Sequence, residues 1–137
     1  MRYHDWPERL FAEIAAAKKT KFAWGEQDCA LFVFGCVEAM TGVDYMKSLK
    51  GKYRCRRSSK EAFKKIEGAE TLRAFADECF GNRIDLSNAR RGDVVLLDID
   101  SIESFGIVVG SHAVFLELKK GIQTVSVNSC SYAWRVD

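Results

Sequence analysis

Apolar side chains recur at helical spacing through the first eighty residues of the chain. Asp5 can cap a first helix with Pro7 in its opening turn, and this helix should end near Lys18-Lys19. Further helices are predicted from about Asp28 to Met40, from Ser58 to Ile66 and from Ala69 to Phe80. The Asp28 helix is apolar nearly all the way round, so it should be the central, most buried one.

The pattern changes in the second half of the chain, where short runs rich in Val, Ile, Leu and Phe alternate with turn residues. Strands are predicted over Asp93 to Leu97, Phe105 to Val109, Ala113 to Leu118 and Ile122 to Val127. The connections Gly110-Ser111 and Lys119-Lys120-Gly121 are short enough for hairpins, which favours an antiparallel meander. Helices followed by strands predict the α+β class, with the central helix packed on a small sheet.

Length and composition fit one domain. The chain has 137 residues, 47% of them hydrophobic and 29% charged, and no linker or repeat divides it. We therefore expect a single domain over residues 1–137, with a helical half at about 1–81 and a sheet half at about 92–136. The start has no apolar segment typical of a signal peptide, and no membrane span is expected.

Cysteine usage indicates a reducing compartment. The five cysteines lie far apart and cannot close into a complete disulfide set. The chain has no C-x-x-C pair and two histidines, His4 and His112, so neither a metal nor another cofactor is predicted.

Cys29 stands where a turn runs into the central helix, which is a position for a thiol nucleophile. The free N–H groups and dipole of a helix N-terminus can bring a cysteine pKa from roughly 8.5 down to about 3.5–7.5. The alternative is a small core side chain, because free cysteine is among the most buried residue types.

Three landmarks occur in order along the chain: Trp24-Gly25-x-x-Asp28-Cys29 before an apolar helix, Arg91-Gly92-Asp93-Val94-Val95-Leu96 opening the sheet, and Gly106-Ile107-Val108-Val109-Gly110. Together they resemble the NlpC/P60 cysteine peptidases. The N-terminal helix and the closing Ala133-Trp134-Arg135-Val136 further resemble a small phage and prophage branch of that superfamily. The resemblance implies a papain-like α+β fold and, in active members, hydrolysis of γ-D-glutamyl-diamino-acid bonds in peptidoglycan stem peptides.

The resemblance assigns roles residue by residue. Cys29 falls on the nucleophile, Asp28 on the acid that holds the free amino end of the substrate, and Trp24 on the neighbouring substrate-binding turn. Three polar groups of the family pattern are replaced: Phe22 stands for an aromatic hydroxyl, Ala30 for a serine and Ser104 for the base histidine. Loss of the base should cost at least about 10²–10⁴-fold in rate.

His112 is the candidate replacement base. It lies just beyond the Gly110-Ser111 turn, about 15–20 Å along a regular hairpin from Ser104 at ~3.4 Å per residue. A register shift or a bulge would be needed to bring it to Cys29. The alternative is an exposed turn histidine.

The segment from Lys47 to Lys65 has the strongest charge asymmetry, with nine basic residues against the single acid Glu61. The basic residues are Lys47, Lys50, Lys52, Arg54, Arg56, Arg57, Lys60, Lys64 and Lys65. The run is either a patch for an anionic partner or a solvated face. Tyr53 lies among these basic side chains and could stack on a base, but a single tyrosine is thin support for a nucleic-acid site, so nucleic acid is an unlikely partner.

Two functions remain at this point. The absent imidazole favours a phage tail-associated structural or assembly protein whose catalysis is lost, with other tail proteins or peptidoglycan as partners. The alternative is an active cysteine peptidase or amidase with Cys29 as nucleophile. Either protein would be made in the host cytoplasm, and the virion tail is the expected destination of the first.

Overall fold

The structure is a computed structural model that describes all residues from 1 to 137. Four α-helices precede the sheet: α1 (Trp6–Ala17), α2 (Cys29–Thr41), α3 (Arg56–Glu67) and α4 (Leu72–Phe80). The strands are β1 (Arg83–Ile84), β2 (Val94–Ile99), β3 (Ile102–Val108), β4 (His112–Glu117), β5 (Gly121–Ser126) and β6 (Tyr132–Trp134). The predicted α+β class is confirmed.

The six strands form one antiparallel sheet in the order β1-β6-β2-β3-β4-β5. The predicted meander is confirmed over β2 to β5. The β2–β3 pairing is regular from Val94 opposite Ile107 to Ile99 opposite Ile102. Asp100 and Ser101, both with positive φ, make the tight turn between these strands.

α2 is the buried helix, as its apolar sequence predicts. Eight of its 13 residues are buried, including Cys36, and it packs against β3, β4 and α1. Asp28 caps its N-terminus by accepting the Leu31 N–H at 2.9 Å, and Gly42 ends it in the left-handed conformation. The start of α2, where Cys29 lies, is therefore fixed at the surface of the sheet.

The sheet has a hydrophobic cluster on each face. The larger cluster lies between the helices and what we call the helix face of the sheet, where Phe34 contacts the rings of Phe75, Phe80 and Phe105. The smaller cluster lies on the far face, around Phe115, and is covered by chain segments near residues 84–89 and 127–130. Both faces of the central strands are thus closed to solvent.

Asp93, which is fully buried, joins the two ends of the chain to the start of β2. Its carboxylate accepts hydrogen bonds from the Arg2 and Arg135 side chains at 3.0 and 3.1 Å and from the Val136 and Arg90 N–H groups at 3.1 and 2.8 Å. Four donors compensate the buried charge.

Several predicted boundaries are wrong. α3 begins at Arg56, two residues before the predicted start, and Cys55 is its N-cap. Ser58 is the third residue of the helix, and its hydroxyl accepts the Cys55 N–H while the Cys55 sulfur accepts the Ser58 N–H. α4 begins at Leu72, capped by Thr71. β3 begins three residues before the predicted Phe105, and the short strands β1 and β6 have no counterpart among the predicted strands. None of the helices has the length and apolar content that a membrane crossing requires.

Candidate functional site

Cys29 lies at the junction of two clefts. The first, of about 300 Å³, lies between α3, the start of α4 and the β2–β3 turn. The second, of about 380 Å³, lies between Phe22, the start of β3, the end of β4 and the same turn. Both clefts are lined by Trp24, Cys29, Arg56, Ile102 and Glu103. A ligand in either cleft would contact the start of α2.

The environment of the Cys29 thiol opposes its ionisation. Burial, followed by the neighbouring Asp28 carboxylate, raises the pKa of Cys29 to about 12. The backbone N–H groups of Phe105 and Ala30 act in the opposite direction but do not compensate. A helix N-terminus can lower a cysteine pKa, but at Cys29 burial and the negative cap outweigh it.

Asp28 is occupied by protein donors. One carboxylate oxygen accepts the Leu31 N–H, and the other accepts the Gly25 N–H at 3.0 Å and the Tyr53 hydroxyl at 2.7 Å. The residue is 1% exposed although it lines the first cleft. Its observed role is to cap α2 and to join it to the preceding turn and to Tyr53. Contact with a substrate amino group stays a prediction.

The turn before Cys29 is held against the segment that carries Tyr53. Gly25 has a φ of +78°, and its carbonyl accepts the Gly51 N–H at 2.8 Å. A Cβ atom at Gly25 would overlap the Tyr53 carbonyl oxygen. The turn presents Trp24 to both clefts, and Phe22 packs edge-on against the Trp24 ring at 5.0 Å.

No imidazole lines either cleft. Ser104 lines the second cleft, but strand alternation places its side chain on the far face with Gly106 and Val108, whereas Glu103 and Phe105 face the helices. His112 is exposed at the start of β4 and contacts the Ser111 hydroxyl at 3.0 Å. The register puts it five residues along β3 from Ser104, or about 17 Å.

Sequence reasoning missed the polar network opposite α3. Glu103 accepts the Leu72 N–H at 2.8 Å and the Arg73 Nε at 2.9 Å, and Arg73 also donates to Asp98 and to the Tyr132 hydroxyl, each at 2.9 Å. The network fixes the start of α4 to β2, β3 and β6 and forms one wall of the first cleft. The sequence does not single out Glu103, because this residue lies before the apolar run Phe105 to Val109 from which the strand is predicted.

The basic segment meets the cleft at one helix face. All nine of its basic side chains are exposed. Arg56 and Lys60 line the first cleft, and Arg56 also lines the second. The other predicted patch residues, Lys50, Lys52, Arg54 and Arg57, line neither cleft. No group of three or more His, Cys, Asp or Glu side chains is placed to hold a metal ion.

The fold and the site define an α+β protein with a cleft at the N-terminus of its central helix. In this cleft Cys29 lies between the basic helix α3 and a wall where Glu103 pairs with Arg73. The family model described as a domain of unknown function, DUF6950, matches residues 1–136. The chain therefore belongs to the DUF6950 family. No curated protein matches it.

Proposed function

We propose that this protein is a papain-like domain of the NlpC/P60 type whose cleft binds a partner without cleaving it, and that it serves in the structure or assembly of a phage tail. The fold part of the proposal is supported by the cysteine-headed helix packed on an antiparallel sheet. The tail part is supported by the ordered landmarks that resemble the phage branch of that superfamily. Synthesis in the host cytoplasm precedes incorporation into the tail.

The observation that carries the loss of catalysis is the absence of an imidazole beside Cys29. A cysteine peptidase needs a base for the thiol and a proton donor for the leaving amine. Neither histidine lines either of the two clefts beside Cys29, and Ser104 lies on the far face of β3. Burial and the Asp28 carboxylate also raise the pKa of Cys29, which disfavours the thiolate that a nucleophile requires. Together these losses leave binding as the function of the cleft.

The catalytic part is tested with a γ-D-glutamyl-diamino-acid stem peptide. The wild-type protein and the Cys29→Ala variant should release product at the same rate as the buffer control. Hydrolysis by the wild type that the variant lacks would overturn the proposal in favour of an active peptidase. That alternative is favoured by one observation, the position of Cys29 at the junction of both clefts.

The tail part is tested in a lysogen that carries the gene. Deletion should abolish tailed particles, counted by electron microscopy, and a plasmid copy with Cys29→Ala should restore them as well as the wild type does. Normal tails after deletion would refute the assembly role. Restoration by the wild type alone would refute the loss of catalysis.

A further inference from the structure

Two cations in the first cleft have no partner in the protein. Arg56 and Lys60 are one helical turn apart on the same side of α3, and both line the cleft. Neither makes an ion pair or a side-chain hydrogen bond, whereas Arg57 pairs with Glu61 at 3.5 Å on the same helix. Two unpaired cations beside a concave surface are available to a ligand.

The other charged side chains of the cleft already have hydrogen-bond or ion-pair partners in the protein. Glu103 is bonded to Arg73, and Glu70 lies 3.4 Å from the Lys64 amine outside the cleft. Asp28 has three neutral donors. The charged side chains of the cleft that lack a partner are therefore the two exposed cations of α3, Arg56 and Lys60.

Apolar side chains line the same cleft between that edge and the opposite wall. They include Trp24, Phe63, Leu72 and Ile102. An apolar surface with a few placed charges is the usual composition of a ligand site, and a cleft of about 300 Å³ accommodates a few residues of an extended chain. The thiol of Cys29 adds no negative charge.

We propose that this cleft binds an acidic peptide segment of a partner protein, with Arg56 and Lys60 holding the carboxylates of that segment. The inference rests on the proposed function and names the chemistry of its partner. Guanidinium and ammonium groups bind carboxylates through charge-assisted hydrogen bonds. A nucleic acid fits less well, because a phosphate backbone needs a continuous positive track and only two unpaired cations line this cleft.

Fluorescence anisotropy with fluorescein-labelled hexaglutamate tests the proposal at low salt. The cleft variant Arg56→Gln/Lys60→Gln should weaken binding about tenfold or more, since two charge-assisted contacts are lost. The control variant Arg57→Gln/Lys65→Gln removes the same charge from α3 outside the cleft. It should weaken binding about threefold or less, because only long-range attraction is lost. If the double cleft variant loses its far-UV circular dichroism, the two single variants replace it.

Equal weakening by the two double variants, or no binding of hexaglutamate by the wild type, would overturn the proposal. Tighter binding of an oligothymidylate of matched charge, lost in the cleft variant, would replace the peptide by a nucleic acid. Hydrolysis of the stem peptide would overturn the proposed function instead, and it would leave the difference between the two double variants unchanged.

Discussion

The turn before Cys29 can be tested with two glycines that share a backbone conformation. Gly25 has a φ of +78° and Gly51 a φ of +76°, but a Cβ atom would overlap the Tyr53 carbonyl at Gly25 and meet no atom within 4 Å at Gly51. Alanine in the left-handed region costs roughly 1–2 kcal/mol at either position. At Gly25 the overlap with backbone should add about 1–3 kcal/mol, as overpacking does. The pair therefore separates the two costs.

Urea unfolding followed by tryptophan fluorescence measures the difference. With a slope of about 2 kcal/mol per M, Gly51→Ala should lower the urea midpoint by about 0.5–1 M and Gly25→Ala by about 1–2.5 M. Gly68, with a φ of +70° and open space around its Cβ position, supplies a second control that should behave like Gly51. Equal losses at Gly25 and Gly51 would refute the close contact between the turn and Tyr53.

Three further predictions concern acidic groups and thiols. At pH 8, iodoacetamide should label Cys55 faster than Cys29. Cys55 is exposed and a hydrogen bond with the Ser58 side chain lowers its pKa, whereas burial raises the pKa of Cys29 to about 12. Peptide mass spectrometry measures the two rates, and faster labelling of Cys29 would contradict the burial argument. Asp28→Asn should lower the free energy of unfolding by about 2–4 kcal/mol. Tyr53→Phe should lower this free energy less in the Asp28→Asn variant than in the wild type, because both substitutions remove the same hydrogen bond from the Tyr53 hydroxyl to Asp28. Hydrogen bonds from Arg83 and Trp134 lower the pKa of Asp77 below its ordinary value of 3.8. The ionised Asp77 therefore stabilises the folded protein above pH 3.8, and this stabilisation is lost as the pH falls through the lowered pKa of the folded state. Asp77→Asn should therefore flatten the acid limb of stability against pH, and an unchanged limb would exclude this contribution.

The parts of the fold that follow from local pattern can be predicted from the sequence. The sequence predicts α2 within one residue at each end, because its apolar run and the capping residue Asp28 both act locally. It misses β6 because three residues carry no periodicity and depend on pairing with β2. It misses the early start of β3 because Glu103 and Ser104 are polar and lie in a strand that is held by partners distant in sequence.

The candidate site depends on contacts that the sequence does not contain. Cys29 and Arg56 can each be singled out from the sequence, but their meeting in one cleft results from the placement of α3, whose Phe63 packs against Tyr53 and against Phe75 of α4. The helix N-terminus alone predicts a lowered pKa for Cys29. Burial of the thiol depends on side chains from distant parts of the chain, and together with the charge of Asp28 it raises this pKa instead. Local sequence context therefore gives the wrong direction at the position where tertiary packing has the greater effect.

The carboxylate of Asp93 determines how this chain can be re-engineered. Arg2 donates to the Val136 carbonyl at 2.8 Å as well as to Asp93, so residues 2 and 136 leave the domain side by side. A short linker from residue 137 to residue 1 would span this gap, and new ends can be opened at the exposed Lys119-Lys120 turn. A circular permutant built in this way keeps every donor to Asp93. Removal of Arg2, or of Arg135 and Val136, would instead leave the buried Asp93 carboxylate without some of its hydrogen-bond donors.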